Sequence, residues 1–464
     1  MVGRYKAYPE YNDSGVEWLE RLPLGWKTMK VKFLLKDGSE GIKIGPFGSA
    51  LKLEDMVEDG IRVYGQENVI KRDFTLGKRF ISQEKYDDMK IYTVEAGDIL
   101  VTMMGTSGKC QVVPENASLG IIDSHLLKLR VNSKIQPELF RLLVDEAQEI
   151  KNQISKQGKG SIMHGLNSSI VKELEFPLPS LEEQIQILSF LNHEIANIDT
   201  LIAKQEKLIE LLKEKRQAVI SNAVTKGLNP DVPMKDSGVE WLGDVPEHWV
   251  VLKLKHLIQS LESGCSVNAA DTPAKTSEIG VLKTSCVYTR RFRVEENKTV
   301  LQEDLPRVKC PIRKGAIIIS RMNTPELVGA SALVNVDIDN IYLPDRLWQT
   351  NFNKSFDIEA EFLAYFMTVE GFRNQISLSA EGASSSMQNI AKEDYLAINA
   401  ILPQLKEQIE IVNYIKKNEA KFLRLEAQVM NTIELLKERK TALISAAVTG
   451  KIDVRDWQPK GIQE

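Results

Sequence analysis

Along Glu182–Thr225, apolar residues recur at Leu188, Leu191, Ile195, Ile198, Ile202, Ile209, Leu212 and Val219. The steps alternate three and four once Gln205 and Arg216 are counted into the two gaps. Such a seam predicts one long helix laid against another. Ser180, with Glu183 three residues on, has the pattern of a capping box at the start. Gly227 and then Pro230 mark the stop. A helix of ~42 residues runs about 63 Å, far more than one globular domain needs. A chain that builds such a rod must also supply something to cover its seam.

The cover is in the same chain. Residues Glu407–Val448 carry a second seam at Val412, Ile415, Phe422, Val429, Ile433, Leu436 and Leu443. The wording repeats too: LPSLEEQ from Leu178 answers LPQLKEQ from Leu402, and ELLKE at Glu210 answers ELLKE at Glu434. AVT ends both stretches, at Thr225 and Thr449. Glu419 and Glu426 fall on the second seam at the positions of Ile195 and Ile202 in the first. Buried carboxylates there would fix register at some cost in stability.

A shorter block precedes each half. DSGVEWL from Asp13, with Pro23 and Trp26, recurs from Asp236 with Pro246 and Trp249. The chain therefore reads as a tandem duplication of Trp block, globular segment and long helix. Packed anchors at a domain edge are the favoured reading of the tryptophans, over stacking residues. The expected layout is a Trp-block segment (1–26), a first head (27–175), a spacer helix (176–227), a repeated Trp-block linker (228–249), a second head (250–400), a second spacer helix (401–452) and a tail (453–464). The fold class is α+β: two homologous α/β heads separated by two long antiparallel coiled-coil helices, with an internal pseudo-two-fold.

The heads diverge more than the blocks around them, yet share a skeleton. GDILVT from Gly97 and GAIIIS from Gly315 both read as buried strands after a glycine turn. Phe140 and Phe362 each sit on a short amphipathic helix. Gln153-Ile-Ser and Gln375-Ile-Ser correspond, and a small polar loop follows each. A duplicated frame with two divergent heads implies that each head reads something different.

Composition sets bounds. The 464 residues are 43% hydrophobic, enough for two or three cores. No run reaches eighteen apolar residues, and the polar start is no signal peptide. Cys110, Cys265, Cys286 and Cys310 lack CxxC spacing, so they read as reduced packing residues in a cytoplasmic protein, with no metal site. A net charge of −4 gives no general sign of a nucleic-acid binder, so any such surface must be local.

Basic and small polar residues cluster in the heads. Lys71, Arg72, Lys78 and Arg79 lie in the first; Arg290, Arg291, Arg293 and Arg321 lie in the second, beside Asn323. Each cluster alone reads as a solvated face. Together, on paired heads, they favour DNA, since Arg forks onto guanine and Asn onto adenine. The loops add Thr106, Ser107 and Lys109, then Lys156, Lys159 and Ser161, then Ser384, Ser385 and Ser386. Gly45-Pro-Phe-Gly-Ser49 reads as a tight turn. Gly105-Thr-Ser-Gly-Lys109 lacks the leading glycine and the hydroxyl of a nucleotide loop, with Cys110 in that place, and is rejected as one.

With the SGVEWL blocks, GPFGS, the LPSLEEQ and LPQLKEQ starts and the LLKE…AVT helix ends on the page, the chain resembles the specificity (S) subunit of a type I restriction-modification enzyme. The resemblance covers nearly the full length. It implies that the heads are target-recognition domains, each reading one half of a bipartite site in double-stranded DNA. It implies that the helices space the heads and dock two methyltransferase (M) subunits, with motor-nuclease (R) subunits completing the complex. S-adenosylmethionine, ATP and magnesium are then expected on those partners, with no cofactor on this chain and no membrane contact.

The residues give no sign of catalysis. No Asn/Asp-Pro-Pro-Tyr/Phe loop holds a flipped adenine: Asn229-Pro230-Asp and Phe176-Pro177-Leu both fail. The five histidines, His125, His164, His193, His248 and His256, have no triad or metal spacing. Two other readings stand beside the DNA reader: a coiled-coil scaffold that never touches DNA, and a stand-alone DNA methyltransferase.

Overall fold

The computed structural model describes residues 5–38, 40–47, 50–158, 166–384 and 387–459. It has mixed helix and sheet, and it divides into two compact units: Met1–Glu206 with Met430–Glu464, and Lys207–Val429. Both divisions fall inside the two long helices, Leu181–Lys226 and Leu405–Val448. Among the described residues no helix is long and apolar enough to cross a membrane.

The helices form where the seams predict, to within two residues at each end. Every seam residue is buried or half-buried, while Lys204, Lys207 and Glu214 are exposed. Toward the ends of the rods a second face is buried as well, at Ile187, Phe190, Ile220 and Val224 on the first helix and Ile411 and Ile444 on the second. That second face packs on the heads. In the first unit Ile187, Phe190 and Ile198 share one core with Leu443, Ile444 and Val448, and with Phe140 and Phe176 of the head. In the second, Ile220 and Val224 share a core with Ile411 and Ile415, and with Phe362 and Trp348.

Both seam carboxylates of the second helix have a partner in reach, although Glu426 Oε1 accepts no hydrogen bond among the described residues. Glu426 lies 3.7 Å from Arg216, and Glu419 accepts a 2.8 Å hydrogen bond from Tyr365 Oη. Burial and then that carboxylate push the Tyr365 phenol above its usual range.

Each head holds a four-stranded sheet of the same strand order. In the first, a four-stranded antiparallel sheet runs Cys110–Val112, Ile99–Thr102, Leu126–Leu129, Ile42–Ile44. In the second the order is Ser331–Leu333, Ile317–Ser320, Leu347–Phe352, Ile258–Ser263. The central strands Ile99–Thr102 and Ile317–Ser320 are fully buried, as their unbroken apolar runs require. A second sheet in each head pairs one parallel couple, Ile61–Tyr64 with Gly120–Ile122 and Gly280–Leu282 with Ile341–Tyr342. Each head opens and closes on one antiparallel pair: Lys27–Lys30 with Glu175–Leu178, and Val250–Lys253 with Asn399–Leu402. The closing strand feeds directly into the long helix.

Candidate nucleic-acid interface

A reader must first be fixed to its frame. Gln184, fully buried in the first turn of its helix, donates through Nε2 to the carbonyls of Lys134 (2.9 Å) and Pro179 (3.2 Å). Its Oε1 accepts from the Gln136 N–H at 2.8 Å. Gln408 repeats the clamp, donating to Asp357 and Pro403 at 2.9 Å each and accepting from Glu359 N–H at 2.8 Å. A primary amide is the side chain that can both give and take here.

The neighbouring carboxylates complete the fixing. Glu183 accepts from Trp26 Nε1 (2.9 Å) and Tyr8 Oη (2.5 Å). Glu407 accepts from Trp249 Nε1 at 3.0 Å and lies 2.8 Å from His248 Nε2. Buried indoles need such a partner, so Trp26 and Trp249 are packed anchors at the helix starts. Only half of the expected capping box forms. The Glu183 N–H donates to Ser180 Oγ at 3.3 Å, but its carboxylate turns to Trp26 and Tyr8 instead of back to Ser180.

At one end of each four-stranded sheet, three connections converge. In the first head they are residues 45–47, 103–109 and 123–125. Gly45 N–H donates to the Leu126 carbonyl, and Met103 N–H to that of His125, both at 3.0 Å. In the second head residues 264–268, 321–330 and 343–346 meet in the same way. Gly264 N–H donates to Pro344 (3.2 Å) and Arg321 N–H to Arg346 (3.1 Å). The glycines are required by proximity: a Cβ would stand 1.8 Å from the Asp123 carbonyl oxygen at Gly45, and 1.6 Å from that of Leu343 at Gly264.

The third connection is held differently in each head. Asp123 accepts the His125 N–H at 2.9 Å and Arg79 Nη1 at 3.0 Å. In the second head Arg321 Nε donates to the Asp345 carbonyl at 2.8 Å. One backbone frame thus presents two sets of side chains.

A family model described as the type I restriction modification DNA specificity domain matches residues 51–211 and 246–435. The chain belongs to that family. Its role is sequence specificity rather than catalysis. The specificity subunit of the type I restriction enzyme MjaVIII from Methanocaldococcus jannaschii is 27% identical over 342 residues, covering 73% of this chain and 75% of that protein. The EcoKI specificity subunit of Escherichia coli is 26% identical over 320 residues, 66% of this chain and 64% of that protein. Among solved structures, the HsdS subunit of Thermoanaerobacter tengcongensis shares the fold at a TM-score of 0.52 and 16% identity, over 93% of this chain and 98% of that one. A chain from a structure of type I R-M assembly and conformational transition reaches 0.64 at 16% identity, covering 93% and 99%.

In this specificity subunit the residues singled out from sequence fall into distinct places. Thr106 and Ser107 are exposed on the 103–109 loop. Asn323 lies on the matching loop but is buried, donating to Tyr288 Oη (2.8 Å) and Ser320 Oγ (3.2 Å). Arg79 and Arg321 hold the third connections. Lys109 (2.8 Å) and Arg72 (3.2 Å) both pair with Asp145, and Arg72 also with Glu146 at 2.7 Å, bracing the loop on the helix Pro137–Asp145. Lys71 and Lys78 are exposed. Lys156 lies 3.8 Å from Glu17.

Arg290 and Arg291 are exposed, yet their polar tips contact their own unit. Arg290 Nη1 donates to Gln217 Oε1 (3.4 Å) and the Thr368 carbonyl (3.2 Å), and Arg291 lies 3.7 Å from Glu419. Both line a cavity of about 510 Å³ between head and long helices, with Lys416 and Tyr365. Arg293 donates to the Ser285 carbonyl at 3.0 Å and lies 3.5 Å from Glu296. Ser384 ends the strand Glu381–Ser384. Lys159, Ser161, Ser385 and Ser386 lie outside the described residues.

Composition-based reasoning missed His125 and Arg346, the exposed residues of the third connections, because neither belongs to a charge cluster. Extending the match of the two buried strands to their sheet neighbours, Leu126–Leu129 and Leu347–Phe352, is the signal that finds them.

Proposed function

We propose that this chain addresses a type I restriction-modification complex to a bipartite DNA target. Each head reads one half-site, and the two helices run as an antiparallel coiled coil that sets the gap. The observation that carries this reading is the doubled construction. Both units have one strand order and one Gln–Glu–Trp clamp, and both pair the start of one long helix with the end of the other. Asp199 meets Lys440 at 2.7 Å in the first unit, and Arg216 meets Glu426 at 3.7 Å in the second. Within each unit the start of one helix lies against the end of the other, which supports an antiparallel pair. The seven-segment layout, with heads at 27–175 and 250–400, is part of this proposal. Half-sites one turn of DNA apart lie ~34 Å between centres, within the reach of rods about 66–69 Å long.

The helices also carry exposed apolar residues at matched positions: Leu181 and Leu405, Ile185 and Ile409, Leu211 and Leu435. Leu201 and Leu208 are exposed beside them. A surface presented twice suits one kind of partner bound twice, which we take to be two methyltransferase subunits. Motor-nuclease subunits join them in a cytoplasmic complex that methylates adenine and cuts unmodified DNA. S-adenosylmethionine, ATP and magnesium belong to those subunits.

Selection of a random duplex library on the complex with methyltransferase subunits tests this. Enrichment of one gapped motif is expected. Binding of the partners with no enriched motif would leave a protein scaffold instead. Purified chain supplied with S-adenosylmethionine and DNA alone should transfer no methyl group; steady turnover would refute the assignment.

A further inference from the structure

A base-reading side chain needs a fixed root and a free tip. Its backbone must not shift when DNA arrives, and its polar end must not already be spent on the protein. Most basic residues picked out by charge fail the second condition. Arg72, Arg79 and Lys109 are paired to carboxylates. Arg290, Arg291 and Arg293 are bound to their own unit, and Arg321 Nε is given to a carbonyl.

Arg346 meets both conditions. Its carbonyl accepts from Arg321 N–H, and the preceding carbonyl accepts from the Arg321 side chain. The next residues, Leu347–Thr350, are buried in the sheet. Its side chain is exposed, with no hydrogen-bond or ion-pair partner among the described residues. His125 is the same position of the first head: its carbonyl accepts from Met103 N–H, and it precedes the buried strand Leu126–Leu129. Its Nδ1 lies 3.4 Å from Ser124 Oγ and 3.8 Å from Asp123 Oδ2, so the free tip is Nε2, which has no partner among the described residues. The frame is shared, and the two heads differ in the residue it presents. Two readers that must name different sequences need just such a position.

We infer that this position selects a base in each half-site, with Arg346 reading guanine in one and His125 a base edge in the other. Arginine's planar fork matches the O6 and N7 acceptors of guanine in the major groove. Arg79 and Arg321 then act as positioning residues that hold the two loops. The inference rests on the DNA-reading role proposed above.

The test is the full chain carrying Arg346→Ala, expressed with its methyltransferase partner, with methylated adenines mapped across the host genome. One base pair of one half-site should lose its requirement for guanine, with discrimination there falling roughly 10- to 100-fold. The other half-site and the gap should be unchanged, and His125→Ala should alter the opposite half-site alone. If Arg346→Ala abolishes methylation, Arg346→Gln decides: preference should move from guanine toward adenine at that base pair, and retained guanine overturns the inference. An unchanged motif overturns it. So does an even loss at all sites with a salt dependence shallower by about one contact, which marks a phosphate contact. A wild-type chain yielding no gapped motif would overturn the DNA-reading role itself, whereas a gapped motif unaltered by the variants overturns this assignment alone.

Discussion

Lengthening both long helices by four residues, after Gln205 and after Val429, should lengthen the gap between the half-sites. The helices have 46 and 44 residues, and the chosen points lie within one residue of the divisions between the two units, at 206/207 and 429/430. Four residues are a little over one turn, adding about 6 Å of rise and about 40° of net rotation. The seam survives as a local unwinding, because a step of four is already part of its pattern. At about 3.4 Å per base pair, the gap should grow by one to two base pairs. Mapping methylated adenines in a host carrying the lengthened subunit with its methyltransferase partner reads this directly. Both half-site sequences should stay as they were. Inserting into one helix alone puts the facing seam out of step and should lower stability instead. A doubly lengthened subunit that assembles and methylates with its original gap would refute the ruler, as would altered half-sites.

Replacing residues 27–175 with the head of another subunit should change one half-site only, read by the same mapping. Gln408→Leu leaves two carbonyls and one N–H without partners in a dry site, and should cost about 3–9 kcal/mol in urea unfolding at roughly 1–3 kcal/mol per orphaned group; a loss below about 1 kcal/mol would contradict the clamp. Arg216→Met should strand the half-buried Glu426 and destabilise, whereas Arg216→Met with Glu426→Met should recover stability or exceed wild type, by roughly 1–3 kcal/mol; equal values for single and double variants would deny the pairing. Burial works against the Glu149 carboxylate, but Lys451 and Ser445 outweigh it and lower its pKa below the ordinary 4.5. Its contribution is therefore present above pH 4.5 and lost as pH falls through the lower folded value. Glu149→Gln should flatten that acid limb of the Tm-against-pH curve.

The rods were legible because a seam is a periodic signal that the helix geometry itself imposes: Leu191, Ile198, Ile415 and Leu443 had to be inside. The repeated words were legible too, but not their reasons. Nothing local in LPSLEEQ says that Gln184 will reach the carbonyl of Lys134, fifty residues earlier in the chain, or that Glu183 will abandon Ser180 for Trp26. Those outcomes depend on what the head brings to the helix start. Charge was the weakest guide to the interface. Arg72, Arg79 and Arg291 sit in basic clusters by sequence, yet each meets a carboxylate that is distant in sequence: Asp145, Asp123 and Glu419. Arg346 and His125 sit alone in sequence, and only the convergence of three connections at a sheet end brings them forward.

Mapping methylated adenines across the host genome, with the wild-type subunit and its methyltransferase partner, tests the doubled reader most directly. Two short fixed half-sites separated by a constant run of unspecified bases are predicted, with an adenine modified in each half. A single uninterrupted motif, or methylation without any motif, would contradict it.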